Sequence, residues 1–186
     1  MDNARNLLSA LVHNLDSKLQ SNIIRLRSPL NDAAADTWKR VIDLIEKLEK
    51  NTKHSEALPI FHTMNLHMGL QLFTDSEIAI MSINELQCCY ERLSKKSKKY
   101  KKLNNTVTEE EPEWVEVVVD LLLSLLSKND HLFRSLVGCV FPHICPYLTP
   151  SAVHQILAVN FCLYNFYKIN LFLYIIENYM YIIWNV

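Results

Sequence analysis

Between Glu113 and Leu157 the chain reads EWVEVVVDLLLSLLSKNDHLFRSLVGCVFPHICPYLTPSAVHQIL. From Trp114, the residues Val115, Val118, Val119, Leu122, Leu123, Leu125 and Leu126 recur at helical spacing, which predicts an amphipathic helix. Asn129 or Asp130 caps a second helix carrying Leu132, Phe133, Leu136, Val137, Val140, Phe141 and Ile144. Pro142 should kink it, because proline removes one amide donor and crowds the preceding turn. Thr149-Pro150 is a third start, an N-cap followed by proline at the first helical position. Two helices joined by two or three residues, followed at once by another, have the rhythm of an α-solenoid, although no repeat of fixed period accompanies it.

Working outward, the same period appears upstream. Leu7/Leu8, Leu11/Val12, Leu15, Leu19 and Ile23/Ile24 predict a first helix ending near Ser28-Pro29. A second begins around Asp32 or Asp36 and carries Ala34, Trp38, Val41/Ile42, Ile45 and Leu48, with a charged outer face. A third runs from about Glu56 to Phe73, with Pro59 in its first turn. Thr74-Asp75-Ser76-Glu77 reads as a capping box in which the Thr74 hydroxyl accepts from the Glu77 amide. The helix it opens carries Ile78, Met81, Leu86, Cys89 and Leu93.

Composition narrows the class further. Only Gly69 and Gly138 occur among 186 residues. Two glycines build neither a phosphate-cradling loop nor a dinucleotide fingerprint, and hairpin-rich β architectures normally need more. A net charge of −1 excludes a uniformly basic nucleic-acid binder. The five cysteines (Cys88, Cys89, Cys139, Cys145 and Cys162) include no CxxC, which argues against a disulfide framework or zinc knuckle and for reduced thiols. No basic flank precedes an unbroken apolar core at the N-terminus, so no secretory signal is expected. The fold class is all-α.

Two stretches break the pattern. Lys95, Lys96, Lys98, Lys99, Lys101 and Lys102 are six of the chain's thirteen lysines, and Glu109, Glu110, Glu111 and Glu113 follow. Like charges repel and stay solvated, so residues 95–112 are expected to form a linker between helical segments 1–94 and 113–159. Residues 160–186 contain no Gly, Ala, Pro or Arg, and 20 of the 27 are Phe, Tyr, Met, Ile, Asn or Lys. Sorting by AT-rich codons rather than by fold suggests intron read-through. A membrane anchor is the competing reading, since the length suffices for a span; Lys168, Glu177 and five asparagines count against it.

Candidate chemistry is sparse. Cys139 and His143 share a helix face near Cys145, but no second cluster completes a metal site, and buried small apolar residues are the plainer reading of the cysteines. Cys88 or Cys89 could pair with His62 or His67, yet nothing supplies an orienting carboxylate or an oxyanion hole. Neither catalytic residues, a cofactor, a metal nor a small-molecule substrate is expected, and polymerase chemistry would need paired carboxylates holding two metals. Leu122, Leu125 and Leu126 form an LxxLL pattern able to lie in a partner's groove, although Leu121 and Leu123 beside them suit a core helix. The lysine run suits a nuclear-import signal or contact with nucleic-acid phosphates.

The blocks Pro112 to Val118, Leu121 to Ser127, Leu132-Phe133-Arg134, Val140 to Cys145, Leu148-Thr149-Pro150 and Ile156-Leu157 resemble a segment of the Myb-binding protein 1A family, also called DNA polymerase phi or DNA polymerase V. Thr37-Trp38-Lys39, His67 to Phe73 and Glu85 to Tyr90 are similar to the same family in the same order. The resemblance covers about residues 1 to 159. It implies a fragment of an armadillo- or HEAT-like helical-repeat protein of the nucleus and nucleolus. Such a protein binds transcription factors and other nuclear proteins and takes part in ribosomal RNA gene expression and ribosome biogenesis. This chain is a fraction of the family's length. The alternatives are a DNA- or chromatin-associated factor using the lysines, and a tail-anchored membrane adaptor.

Overall fold

The computed structural model describes residues 2–50, 57–99, 113–128 and 130–163. Every regular element among them is helical: α1 (Asp2–Gln20), α2 (Asp32–Lys50), α3 (Leu58–Gln71), α4 (Ser76–Lys99), α5 (Trp114–Ser127), α6 (His131–Ile144), a 3-10 turn over Cys145–Tyr147, and α7 (Pro150–Leu163). The chain divides into two compact units, Met1–Cys88 and Cys89–Val186, and the division falls inside α4.

In the first unit α3 is the central helix, packed against α2 and α1. Eleven of its fourteen residues are buried, because apolar side chains surround it on every side rather than lining one face. Trp38 and Phe73 meet edge to face with ring centroids 5.0 Å apart. A β-carbon placed on Gly69 would lie 3.0 Å from Val41 Cγ1 and 3.6 Å from Trp38 Cζ3, so glycine is what lets α3 approach α2 this closely.

Local caps set the ends, and three of them differ from expectation. The first helix stops at Gln20, short of Ile23/Ile24. Asn22 adopts φ 54°, its N–H donates to the Leu19 carbonyl, and the Ile23 N–H reaches the Lys18 carbonyl. That pair of bonds is a Schellman ending, which asparagine enters more readily than most residues. Asn31 caps α2 through its side-chain oxygen on the Ala34 N–H, at 2.8 Å. At α4 the cap is Asp75, which accepts from the Ile78 N–H, while Thr74 donates to the Gln71 carbonyl and closes the helix before it.

The lysine run is also corrected in part. Helix α4 continues through Lys99, so Lys95, Lys96, Lys98 and Lys99 belong to helical backbone rather than to a linker. Lysine is a good helix former, and its charge complements the helix C-terminus. Lys101 and Lys102, with the rest of 100–112, lie outside the described residues.

In the second unit α5 packs against both α6 and α7. Asp130 caps α6, accepting from the Leu132 N–H at 2.7 Å. Pro142 sits in the last turn of α6, which passes into the 3-10 turn after Ile144. Thr149 caps α7 as expected, accepting from the Ala152 N–H, and its hydroxyl donates to Glu116 Oε1 at 2.7 Å. Glu116 Oε2 accepts from the Glu113 N–H, so one carboxylate ties the starts of α5 and α7 together. Helix α7 runs four residues into the stretch expected to be foreign to the fold, and residues 164–186 lie outside the described residues.

Candidate interaction surface

The leucines of the LxxLL pattern are placed by α5, the helix with neighbours on two sides. Leu122 is 0% exposed and Leu125 is 1% exposed, and Leu126 is half-buried. Two of the three therefore serve the interior of the second unit and are not presented to a partner by the folded chain. The physical reason is the run Leu121-Leu122-Leu123, which makes α5 apolar well beyond one stripe and so buries it between α6 and α7.

Exposed leucine is found singly on α6 (Leu132) and α7 (Leu157), and as a pair on α1. Leu7 is 73% and Leu11 is 53% exposed, one helical turn apart on one edge. The side of α1 that faces the core is partly polar. Ser9 is buried and donates to Glu49 Oε1, His13 Nε2 lies 3.2 Å from Glu49 Oε2, and Asp16 Oδ1 accepts from Trp38 Nε1 at 2.8 Å. Ser9, His13 and Asp16 recur at i, i+4, i+7, a polar stripe with the same period as the leucines. Sequence reasoning followed the apolar stripe, of which Val12 is fully buried; that the polar stripe beside it also turns inward is settled by Glu49 and Trp38, distant in sequence.

Glu49 is the centre of this polar node. From α3, His62 Nε2 lies 3.4 Å from Glu49 Oε1. Burial pushes the His62 pKa down and Arg5 and His13 add to this, outweighing the opposing charge of Glu49. Partial burial would raise the Glu49 pKa, but the Ser9 hydroxyl, the His13 contact and the charges of both histidines together hold it below its usual value. The unfolded chain takes up a proton at His62 near pH 6.5, above the folded value. Between those two values the unfolded state binds more protons, so stability falls as pH drops through that window, and falls again at lower pH as Glu49 is protonated. Urea midpoints measured from about pH 7.5 to about pH 5.5, bracketing the ordinary imidazole value, should decrease in the first unit. His62→Gln should flatten that slope.

The remaining sequence candidates are dispersed. His67 Nδ1–H donates to the Thr63 carbonyl at 2.9 Å, and Cys89 Sγ donates to the Trp114 carbonyl at 3.4 Å. His62 faces Glu49, so no cysteine–histidine pair is assembled from these groups. Cys145 is buried, with its thiol pushed up to about 11 by burial, whereas Cys139, expected in the interior, is exposed. Among the described residues no group of three His, Cys, Asp or Glu side chains could hold a metal ion. Nor is any helix among them long and apolar enough to cross a membrane.

The blocks that carried the resemblance meet one another. Trp38 touches Phe73 and flanks Gly69. Cys89 bonds Trp114, whose ring lies 5.5 Å from that of Tyr147, and Glu116 bonds Thr149. These motifs are packing and capping determinants, which explains why none has the form of a catalytic signature.

The comparisons with known proteins agree with that pattern. The sequence profile described as DNA polymerase phi matches residues 1–159, up to the point where the AT-rich composition begins. A Myb-binding protein 1A-like protein of Danio rerio is 39% identical over 124 residues, 66% of this chain and 9% of that protein. Myb-binding protein 1A of Homo sapiens is 32% identical over 132 residues, 71% of this chain and 10% of that protein. The rDNA transcriptional regulator pol5 of Schizosaccharomyces pombe is 24% identical over 141 residues, 70% of this chain and 14% of that protein. The chain thus spans about a tenth of the length of the curated relatives it matches. No solved structure matches it. On the match over residues 1–159, the chain belongs to the DNA polymerase phi family.

Proposed function

We propose that the chain is part of an armadillo- or HEAT-like helical-repeat scaffold that binds transcription factors in the nucleus and nucleolus and regulates transcription, ribosomal RNA genes included. The observation that carries this reading is the leucine edge of α1, left at the surface while the polar stripe of the same helix is used inward. The relatives' names support it: they specify binding to Myb and regulation of rDNA transcription. Those names describe a binding protein and a regulator, so the reading is non-enzymatic despite the family's polymerase description. The occupant of the leucine edge is a transcription factor of the Myb type, docking an apolar helix face against Leu7 and Leu11. Exchanging both residues for aspartate should weaken binding of a purified Myb protein on the order of tenfold or more. Circular dichroism should stay unchanged, because both side chains are already solvated. Unchanged binding with intact folding would defeat this placement.

The lysine run supports nuclear entry. Four of the six lysines of this row are on the helical backbone of α4. Glutamine at all six positions should shift the chain from nucleus to cytoplasm; unchanged distribution would remove the role. The same row favours contact with DNA phosphates as the second reading. That reading requires binding whose logarithm falls steeply with the logarithm of salt and a slope that shrinks in the glutamine variant.

A further inference from the structure

The connection from Ser21 to Asn31 carries a sequence that the helices do not use: Arg25-Leu26-Arg27-Ser28-Pro29-Leu30. Arg25, Arg27, Ser28 and Pro29 are all exposed, while Leu26 and Leu30 are half-buried and hold the segment at both sides. Among the described residues, Arg25 through Leu30 make no backbone–backbone hydrogen bond, and the Ser28 hydroxyl has no hydrogen-bond partner. The segment is neither helix nor strand, so its amides and carbonyls are available to another protein.

A second hydroxyl residue precedes proline among the described residues, and it provides the contrast. Thr149, before Pro150, accepts from the Ala152 N–H and donates to Glu116. Its hydroxyl is committed to the cap of α7, and its modification would break both bonds. Ser28 has neither commitment.

We propose that Ser28 is a phosphorylation site for a proline-directed serine/threonine protein kinase, modified on the folded chain. Such an enzyme binds its substrate extended, and an unbonded loop docks without first breaking structure. Pro29 supplies the selectivity. The pocket for the residue after the serine need not satisfy an amide N–H, which proline lacks. Any other residue leaves that N–H unpaired on binding, a discrimination of roughly tenfold or more. In the step itself the Ser28 oxygen attacks the γ-phosphorus of magnesium-bound ATP. The new O–P bond forms as the bond from the γ-phosphorus to the bridging oxygen breaks, ADP leaves with that electron pair, and the hydroxyl proton passes to the kinase's base.

The product has a defined local effect. Arg25 and Arg27 are the only charged residues from Ser21 to Asn31, giving the loop a charge of +2. A phosphoserine adds about −1.5 to −2, and its oxygens match the guanidinium forks of the two arginines that precede it within three residues. The loop becomes nearly neutral just ahead of Asn31, the cap of α2.

The test uses the whole purified chain, magnesium ATP and a cyclin-dependent kinase with its cyclin as the proline-directed probe. Incorporation should approach one phosphoryl group per chain, mapped to Ser28 by mass spectrometry. Ser28→Ala should abolish it, Pro29→Ala should lower kcat/KM on the order of tenfold or more by the unpaired amide, and Thr149→Ala should leave it unchanged. Circular dichroism confirms that the variants remain helical. Three results would each overturn the proposal: undiminished incorporation into Ser28→Ala, a phosphate mapped elsewhere, or modification seen only after the chain is unfolded in urea.

Discussion

Replacing Leu122 with alanine is expected to destabilise the second unit by about 3 kcal/mol, the middle of the range for truncating a buried leucine. The size follows from position. Leu122 is completely buried on α5, the helix that packs against both α6 and α7, so the lost methyl groups leave a cavity that neither neighbour can close alone. Denaturant titration followed by circular dichroism would read the loss, and amide hydrogen exchange in α5 would assign it to this unit. Leu126→Ala should cost clearly less, because Leu126 is only half-buried. The comparison decides between two roles for the same three leucines. A recognition motif would lose partner affinity while keeping its unfolding midpoint; a core helix does the reverse. An unshifted midpoint in Leu122→Ala would restore the recognition role.

A leucine at position 69 should be nearly as damaging in the first unit, at about 3 kcal/mol, near the upper end for overpacking. Even a single β-carbon there meets Val41 Cγ1 at 3.0 Å, and Val41 is itself fully buried, so the obstruction has nowhere to move. Relief requires α3 to back away from α2, which would also open the Trp38–Phe73 ring contact. The other glycine predicts the opposite sign. Nothing lies within 4 Å of a β-carbon at Gly138, which stands inside α6. Gly138→Ala should therefore gain up to about 1 kcal/mol from helix propensity. Thermal melts of the two variants would separate a glycine kept for close approach from one that merely weakens its helix. Equal and small shifts would show that the α2–α3 approach is looser than the geometry states.

Much of the architecture could be read from the chain, because helix period and capping chemistry are local. The starts of α2, α6 and α7 sit at or beside the polar residues that announce them, and Pro59 and Pro150 fall in first turns. The errors at helix ends were close competitions between adjacent polar residues. Asp75 outdid Thr74 by one position, and Asn22 ended α1 before its apolar period ran out. The larger miss concerned direction. On α1 the apolar period places Val12 inside, but the polar stripe beside it turns inward as well, because Glu49 and Trp38 on another helix receive it. On α5 the leucines that looked like a motif were drawn inward because the helix has two neighbours rather than one. Facing is a property of pairs of elements, so a single segment does not contain it.

The carboxylate shared by Glu113, Glu116 and Thr149 has a consequence for the order in which the second unit is made. Glu116 precedes Thr149 by 33 residues, so α5 is synthesised before the hydroxyl that its carboxylate accepts from exists. Until then the start of α5 is held only by its own Glu113–Glu116 cap, and a chain arrested within that interval carries a leucine-rich helix without the tie to α7. Arrival of Thr149 makes that tie and caps α7 with the same hydroxyl, joining the starts of two helices that stand apart in sequence.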